Sequence, residues 1–121
     1  MLVEQLYEIT QFNSDSKALS ATLSINAAHP IFEGHFPNQP VLPGVCQVQI
    51  VKELLEQAVQ KKLQLSAAAQ CKFLQMVDPR SINNIEVNIK YDLDEKEVAC
   101  NAVLQSEEKI FLKMNGTFTI V

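Results

Sequence analysis

Apolar and polar residues alternate strictly along two segments of the chain, and this pattern predicts β-strands. Residues 19–25 are apolar at every second position, with Ser, Thr and Ser between them. Residues 85–91 repeat the pattern, with Glu, Asn and Lys between the apolar positions. Successive side chains of a strand point to opposite faces, so each segment has one apolar and one polar face. Both are therefore predicted to be half-buried strands.

Weaker patterns predict four further strands. They cover residues 2–12, 71–77, 98–104 and 110–121. The first also fits one face of a helix through Leu2, Leu6 and Ile9. Polar, turn-forming segments separate these elements at residues 13–16, 94–96 and 106–108.

One long helix is predicted at about residues 45–62. Its apolar residues recur at three- and four-residue steps, and they are Val48, Val51, Leu55, Ala58 and Val59. Ile50 and Leu54 widen this apolar face, so we expect the helix to be covered on more than one side. Lys61 and Lys62 suit its carboxyl end, where the helix dipole favours positive charge.

The order of elements is strands, one apolar helix, then several more strands. A curved antiparallel sheet could wrap around that helix and bury its broad apolar face, which is an α+β arrangement. A chain of 121 residues fits one domain, predicted to span residues 1–121.

Residues 29–44 separate the second strand from the helix and contain four prolines and two glycines. This content excludes a long regular element. The same segment also holds several apolar side chains, so a stiff irregular loop is predicted. Loops of this kind often carry function on a rigid scaffold.

Composition limits the classes of partner and compartment. The net charge is −4, and only ten residues are basic, which argues against nucleic-acid binding because phosphates are neutralised by clustered Lys and Arg. No secretory signal and no apolar run of about 20 residues is apparent, so we expect no membrane segment and a cytoplasmic protein. The three cysteines are widely spaced and form no metal-like pattern with the two histidines, so reduced thiols and no metal site are expected.

The run from His29 to Val45 reads HPIFEGHFPNQPVLPGV. It resembles, without a gap, the signature of the 3-hydroxyacyl-acyl-carrier-protein dehydratases of fatty-acid synthesis. The resemblance implies a hotdog fold, in which a curved sheet wraps one central helix. It also implies that substrates are carried on the phosphopantetheine of an acyl carrier protein, with no further cofactor. It implies a homodimer, in which His35 of one subunit faces residues 49 and 53 of the other.

Dehydration of a 3-hydroxyacyl thioester needs a base, a site for negative charge on the thioester oxygen, and a proton donor for the leaving hydroxyl. Histidine suits the first task because its pKa lies near neutral pH, and the resemblance makes His35 the catalytic histidine. The alternative is a histidine that only satisfies backbone groups in a turn.

The second task suits the helix start at Pro43, Gly44 and Val45. The first-turn amides there carry partial positive charge, and Gly44 lets a ligand approach closely. The alternative there is that Pro43 and Gly44 simply open the helix.

Two further predictions concern lining residues and the nearby thiol. Phe36, with Phe32 and Phe73, is a candidate for lining an acyl tunnel, although such rings are more often core. Cys46 falls in the first helical turn, where a thiolate is stabilised, but a small buried core residue is the favoured interpretation. His29 is expected to be structural.

The third task is where the sequence departs from the family. The family has an acid after P-G-V and three more residues, and often Gln four residues later; here these positions are Gln49 and Glu53. Either Glu53 acts as the acid, or His35 returns the proton while Gln49 positions the substrate, or dehydration is lost. Glu53 also has an alternative interpretation as a solvated helix residue. The first two alternatives give a dehydratase in fatty-acid or polyketide and polyene synthesis. If dehydration is lost, the chain is either a hotdog acyl-thioesterase or a non-catalytic subunit that binds carrier protein or pairs with a related subunit.

Overall fold

The computed structural model describes residues 6–32 and 40–121. Within these ranges, six strands and one long helix follow each other along the chain. They are β1 (Tyr7–Ser14), β2 (Ala18–Ile25), α1 (Gly44–Val59), β3 (Leu63–Phe73), β4 (Asn84–Leu93), β5 (Glu97–Ser106) and β6 (Lys109–Ile120). A short 3-10 turn, Pro30–Phe32, follows β2.

All six strands form one antiparallel sheet in the order β1-β2-β4-β5-β6-β3. Direct cross-strand partners share a face, so apolar residues line up in rows across the sheet. One such row is Ala21, Val87, Leu104 and Leu112. These residues belong to a single buried cluster that also contains Ile50, Val51, Leu54 and Leu55 of α1. The apolar face of the sheet and the helix therefore share one core.

The predicted α+β class and the hotdog arrangement are confirmed. The two strictly alternating segments form β2 and β4: buried residues alternate with exposed ones in β4 and mainly with half-buried ones in β2. The predicted strands at 98–104 and 110–121 correspond to β5 and β6. The helix α1 is covered on more than one side, as its wide apolar pattern predicted, because Ile50, Val51 and Leu54 are all fully buried.

The helix ends earlier than predicted. Gln60 adopts a left-handed conformation, with φ 58° and ψ 41°, and its amide donates to the Glu56 carbonyl at 2.9 Å. This cap closes the last turn and redirects the chain toward β3. Lys61 and Lys62 therefore lie beyond the helix rather than on its last turn.

The predicted strand at 71–77 is wrong in its bounds. Strand β3 begins at Leu63 and ends at Phe73. Its first half has little apolar alternation, and it is a strand because it pairs with β6, with two irregularities in register. Strand β1 likewise continues to Ser14, so the predicted turn at 13–16 starts later than expected.

The irregular segment before α1 is confirmed in its described parts, which hold only the 3-10 turn and residues 40–43 without regular structure. The Leu42 amide donates to the Val77 carbonyl at 2.9 Å, which attaches the residues before α1 to the chain after β3. Within the described chain, no helix combines the length and apolarity needed to cross a bilayer.

Candidate functional site

The first backbone N–H groups of α1 are the candidate contacts for a ligand's oxygen. Pro43 precedes the helix, and no side chain caps it within the described residues. The amides of Cys46 and Gln47 both donate to the Pro43 carbonyl, at 3.0 and 3.2 Å. Helix geometry leaves the first amides without an intrahelical acceptor, so Gly44 and Val45 supply the N–H groups nearest the tip. Such a pair can hold a polarised carbonyl oxygen.

An aromatic ring covers Gly44. A Cβ atom at this position would lie 2.8 Å from Cζ of Phe73, closer than ordinary contact. Phe73 is half exposed, and Val45 is 77% exposed beside it. A ligand that reaches the helix tip therefore meets the Phe73 ring, and the missing side chain of Gly44 is what allows that ring to pack there.

The side chain of Gln47 fixes the segment that leads into the helix. It is buried, and its Nε2 donates to the Leu42 carbonyl at 3.2 Å. Together with the Leu42–Val77 backbone bond, this contact holds residues 42 and 43 against the core. The position of the helix tip is thus set by the folded body.

Gln49 and Glu53 are in direct contact one helical turn apart. Nε2 of Gln49 donates to Oε2 of Glu53 at 2.9 Å. The hydroxyl of Tyr7, at the start of β1, donates to Oε1 of Glu53 at 3.0 Å. Glu53 is only 6% exposed and Tyr7 only 3%, whereas Gln49 is half-buried.

This network decides between two interpretations of Glu53. The solvated alternative is wrong, since the carboxylate lies in the core. Each of its oxygens accepts a hydrogen bond from a neutral donor, Tyr7 or Gln49. Burial, and next the charge and hydrogen bond of Glu53, raise the pKa of Tyr7 far above its usual range, so its hydroxyl remains a donor.

Sequence patterns did not identify Tyr7 as a partner of the site. It lies 46 positions from Glu53 along the chain, and only the folding of β1 over the helix brings the two together. A tyrosine that begins a strand carries no signal for such a contact. The spacing of residues 49 and 53, by contrast, was sufficient to predict that they share a helix face.

His35 and Phe36 lie outside the described residues, so their predicted roles stay predictions. His29 is described: its Nδ1 accepts from the Ile31 amide at 3.0 Å, and its own amide donates to the Asn26 carbonyl at 3.1 Å. These bonds fit the structural role expected for it. Phe32 is buried in the core.

The cysteines are free thiols. Cys46 is 5% exposed, and burial raises the pKa of its thiol, so the core interpretation holds and the thiolate alternative does not. Burial also raises the pKa of Cys100, to about 11. In the part of the chain that the structure describes, no group of three His, Cys, Asp or Glu side chains is placed to hold a metal ion.

The sequence is similar to a known family model and to individual curated proteins. A family model described as ApeI-like, the ApeI dehydratase, matches residues 11–114. The 3-hydroxyacyl-[acyl-carrier-protein] dehydratase FabZ of Rickettsia bellii is 30% identical over 97 residues, covering 74% of this chain and 64% of the relative. FabZ of Xanthomonas euvesicatoria is 29% identical over 83 residues, covering 69% of this chain and 53% of the relative. The chain thus matches between about half and two thirds of the length of these relatives.

Solved structures share the fold. The dehydratase heterocomplex ApeI:P from Xenorhabdus doucetiae superposes with a TM-score of 0.76 at 19% identity, covering 93% of this chain and 97% of that one. A mutant thioesterase from Pseudomonas aeruginosa superposes with a TM-score of 0.64 at 15% identity, covering 93% and 81%. The same architecture therefore occurs in proteins named for two different reactions.

Proposed function

We propose, because this chain belongs to the ApeI-like dehydratase family, that it eliminates water from a 3-hydroxyacyl thioester to give a trans-2-enoyl thioester. The acyl chain would be carried on the phosphopantetheine of an acyl carrier protein. The observation that carries this proposal is the ungapped run from His29 to Val45, which leads directly into the amino end of α1, where no side chain of the described residues caps the helix.

The proposed reaction assigns one task to each group. The imidazole of His35 removes a proton from the carbon next to the thioester carbonyl, and the resulting negative charge on the carbonyl oxygen is stabilised by the amides of Gly44 and Val45. Gln49 holds the 3-hydroxyl. The imidazolium of His35 then returns its proton to the departing hydroxyl, so that water leaves and the histidine is neutral again.

Glu53 is not the acid in this proposal. Its two oxygens already accept hydrogen bonds from Tyr7 and Gln49 in the core. To protonate a leaving group it would have to break one of these contacts. A histidine that both removes and returns the proton leaves these contacts intact.

The proposed partners are an acyl carrier protein and a second hotdog subunit, either another copy or a related chain. The related solved heterocomplex supports the second form of pairing. Exposed apolar side chains near the helix tip, at Val45, Phe73 and Met76, also favour a covered surface there. Fatty-acid synthesis and a specialised polyketide or polyene pathway both use such a reaction.

The test is to incubate the purified chain with 3-hydroxyacyl-pantetheine and to follow the products by mass spectrometry. We expect loss of one water in the wild type. His35→Ala should lower the rate by about 100-fold or more, the usual range for a general base. His29→Asn is the matched control, because Asn also bonds backbone amides locally, and it should retain turnover.

Two other outcomes contradict the proposal. Release of the free acid without water loss would make the chain a hotdog thioesterase, which the Gln49 substitution and the shared fold leave as the second candidate. Turnover that requires a related subunit and is unchanged by His35→Ala in this chain, with a mixed complex in native mass spectrometry, would make it a non-catalytic partner. Turnover by a pure homodimer would exclude that last role.

A further inference from the structure

We infer that Tyr7 and Glu53 are positioning residues, which turn the carbonyl oxygen of Gln49 outward as an acceptor for the 3-hydroxyl of the substrate. This inference rests on the proposed function and adds to it a determinant of substrate selection. The sequence alone left open which end of the Gln49 amide faces the ligand. The hydrogen bonds around Glu53 decide it.

The first step is the direction of the bond between Gln49 and Glu53. A carboxylate accepts hydrogen bonds and donates none, so the Gln49 amide must present its NH₂ group to it. The observed contact is Nε2 of Gln49 to Oε2 of Glu53, at 2.9 Å. Because the amide is planar, its Oε1 then points away from Glu53.

The second step is that Glu53 itself is held firmly. Its other oxygen accepts the Tyr7 hydroxyl at 3.0 Å, and both side chains are buried. Tyr7 belongs to β1, whose register is fixed by β2, so the carboxylate is held between the helix and the sheet. Rotation of Glu53 away from Gln49 would break a buried hydrogen bond.

The third step is the exposure of Gln49. Unlike its two partners, Gln49 is only half-buried, so part of this residue is accessible. It is also on the first turns of α1, one turn after the helix tip. The group that it offers there is an acceptor, which matches the O–H of a 3-hydroxyacyl chain.

This arrangement predicts a preference among thioesters that differ only at carbon 3. A 3-hydroxyacyl chain can donate to Gln49, a 3-oxoacyl chain can only accept, and a saturated chain does neither. One net hydrogen bond changes affinity by about 2- to 10-fold. We therefore expect the 3-hydroxyacyl-pantetheine to bind the wild type tighter by that factor than the other two.

The decisive variant is Glu53→Gln. Its Oε1 can still accept the Tyr7 hydroxyl, but its NH₂ group then faces residue 49 and requires an acceptor there. The side-chain amide of Gln49 should rotate, so that its Oε1 faces residue 53 and its NH₂ group faces the ligand. The preference should shift toward the 3-oxoacyl thioester by about 2- to 10-fold, a reversal that a merely structural role would not produce.

Two more variants complete the test. Gln49→Leu removes the amide with little change in volume, and it should bind all three thioesters equally. Glu56→Gln is the matched control on the same helix, because Glu56 also accepts a hydrogen bond, from the Leu63 amide at 2.9 Å, away from this network. It should keep the wild-type preference.

Binding is measured by calorimetry, with His35→Ala as the background so that no substrate is consumed. Tight binding of all three thioesters without any preference would overturn this inference and leave the proposed function standing. An unchanged preference in Glu53→Gln would also overturn it. Failure of every thioester to bind would overturn the inference together with the proposed function.

Discussion

The exchange of an amide and an acid at residues 49 and 53 is the most informative feature at the scale of single residues. The sequence shows the exchange, and the structure gives it a physical meaning. The acid has moved to the buried position, where Tyr7 stabilises it, and the amide has moved to the accessible one. Donor and acceptor roles along the helix face are therefore reversed relative to the family pattern.

Exchanging the two side chains back should strengthen dehydration. In the double variant Gln49→Glu with Glu53→Gln, the amide introduced at position 53 accepts the Tyr7 hydroxyl and donates to the carboxyl group introduced at position 49. The second oxygen of that carboxyl group can then protonate the leaving hydroxyl. We expect water loss from 3-hydroxyacyl-pantetheine to accelerate by about 100-fold, the lower range for an added general acid. The rate is measured by mass spectrometry under single-turnover conditions.

The single variant Gln49→Glu is the control for this exchange. It puts two carboxyl groups next to each other on one face of the helix, so one of them must keep a proton or the helix must be destabilised. It should not match the double variant near neutral pH. A double variant no faster than the wild type would contradict the assignment of residue 49 to the leaving hydroxyl.

The three thiols should differ in reactivity according to burial. Cys46 and Cys100 are each 5% exposed, and burial raises the pKa of both, whereas Cys71 is partly exposed. Because the thiolate is the reacting species, iodoacetamide at pH 8 should label Cys71 first. Peptide mass spectrometry measures the order, and equal labelling of all three in the native protein, as in urea, would contradict it.

At the scale of elements, the boundaries of α1 and β3 were the least predictable features. The apolar period of the helix reaches its last residue, Val59, and the lysines that extended the predicted helix lie beyond that end, which the left-handed conformation of Gln60 sets. Gln has no special preference for that conformation, so the sequence carries no stop signal. The first half of β3 has a similar lack of signal, because its strand state comes from pairing with β6.

The turn between β5 and β6 offers a direct test of backbone strain. Glu107 has a positive φ of 52°, and a non-glycine residue there costs about 1 kcal/mol or more. Glu107→Gly relieves this strain, of about 1–2 kcal/mol, but adds freedom to the unfolded chain worth about 0.5–1 kcal/mol, so the free energy of unfolding should rise by up to about 1 kcal/mol. Urea denaturation monitored by circular dichroism measures the change.

The neighbouring residue is the matched control. Glu108 is not among the described residues with positive φ, so Glu108→Gly only adds freedom to the unfolded chain. It should lower the free energy of unfolding by about 0.5–1 kcal/mol. Equal effects of the two substitutions would contradict a strained turn at Glu107.

At the scale of the whole molecule, the contact between Tyr7 and Glu53 connects the edge strand β1 to the central helix. Removal of the hydroxyl in Tyr7→Phe leaves a buried carboxylate with one donor fewer. The free energy of unfolding at pH 8 should fall by about 1–3 kcal/mol. The same variant should also change how stability depends on alkaline pH.

The sign of that pH dependence follows from the raised pKa of Tyr7. The unfolded chain loses the phenol proton near pH 10, while the folded chain keeps it. The contribution of the Tyr7 phenol to the free energy of unfolding is therefore complete below pH 10. Above pH 10 it decreases by up to about 1.4 kcal/mol per pH unit. Tyr7→Phe lacks this decrease with pH. Urea titrations between pH 8 and 11 should therefore show the free energies of unfolding of the wild type and Tyr7→Phe converging as the pH rises.

Ionisation of the buried thiols does not affect the comparison between the wild type and Tyr7→Phe. Cys100 also has a raised pKa, about 11, but it is present in both proteins and its effect cancels in the difference. Parallel stability curves for the wild type and Tyr7→Phe would contradict the inferred state of the phenol.

The sequence by itself determined the features that depend on local period and on residue type. Alternation defined β2 and β4, the three- to four-residue period defined most of α1, and the run from His29 to Val45 indicated the family. These features were predictable because each is repeated over several neighbouring residues. The i and i+4 spacing also predicted that Gln49 and Glu53 share a face.

Only the tertiary structure decided the order of the strands, the strand state of residues 63–70 and the burial of Glu53. It alone placed Tyr7 on that carboxylate and so gave the Gln49 amide its direction. Contacts of this kind join residues that are far apart in the chain, and they depend on packing and on the satisfaction of buried polar groups. No local pattern encodes them, because the same residues in another fold would have other partners.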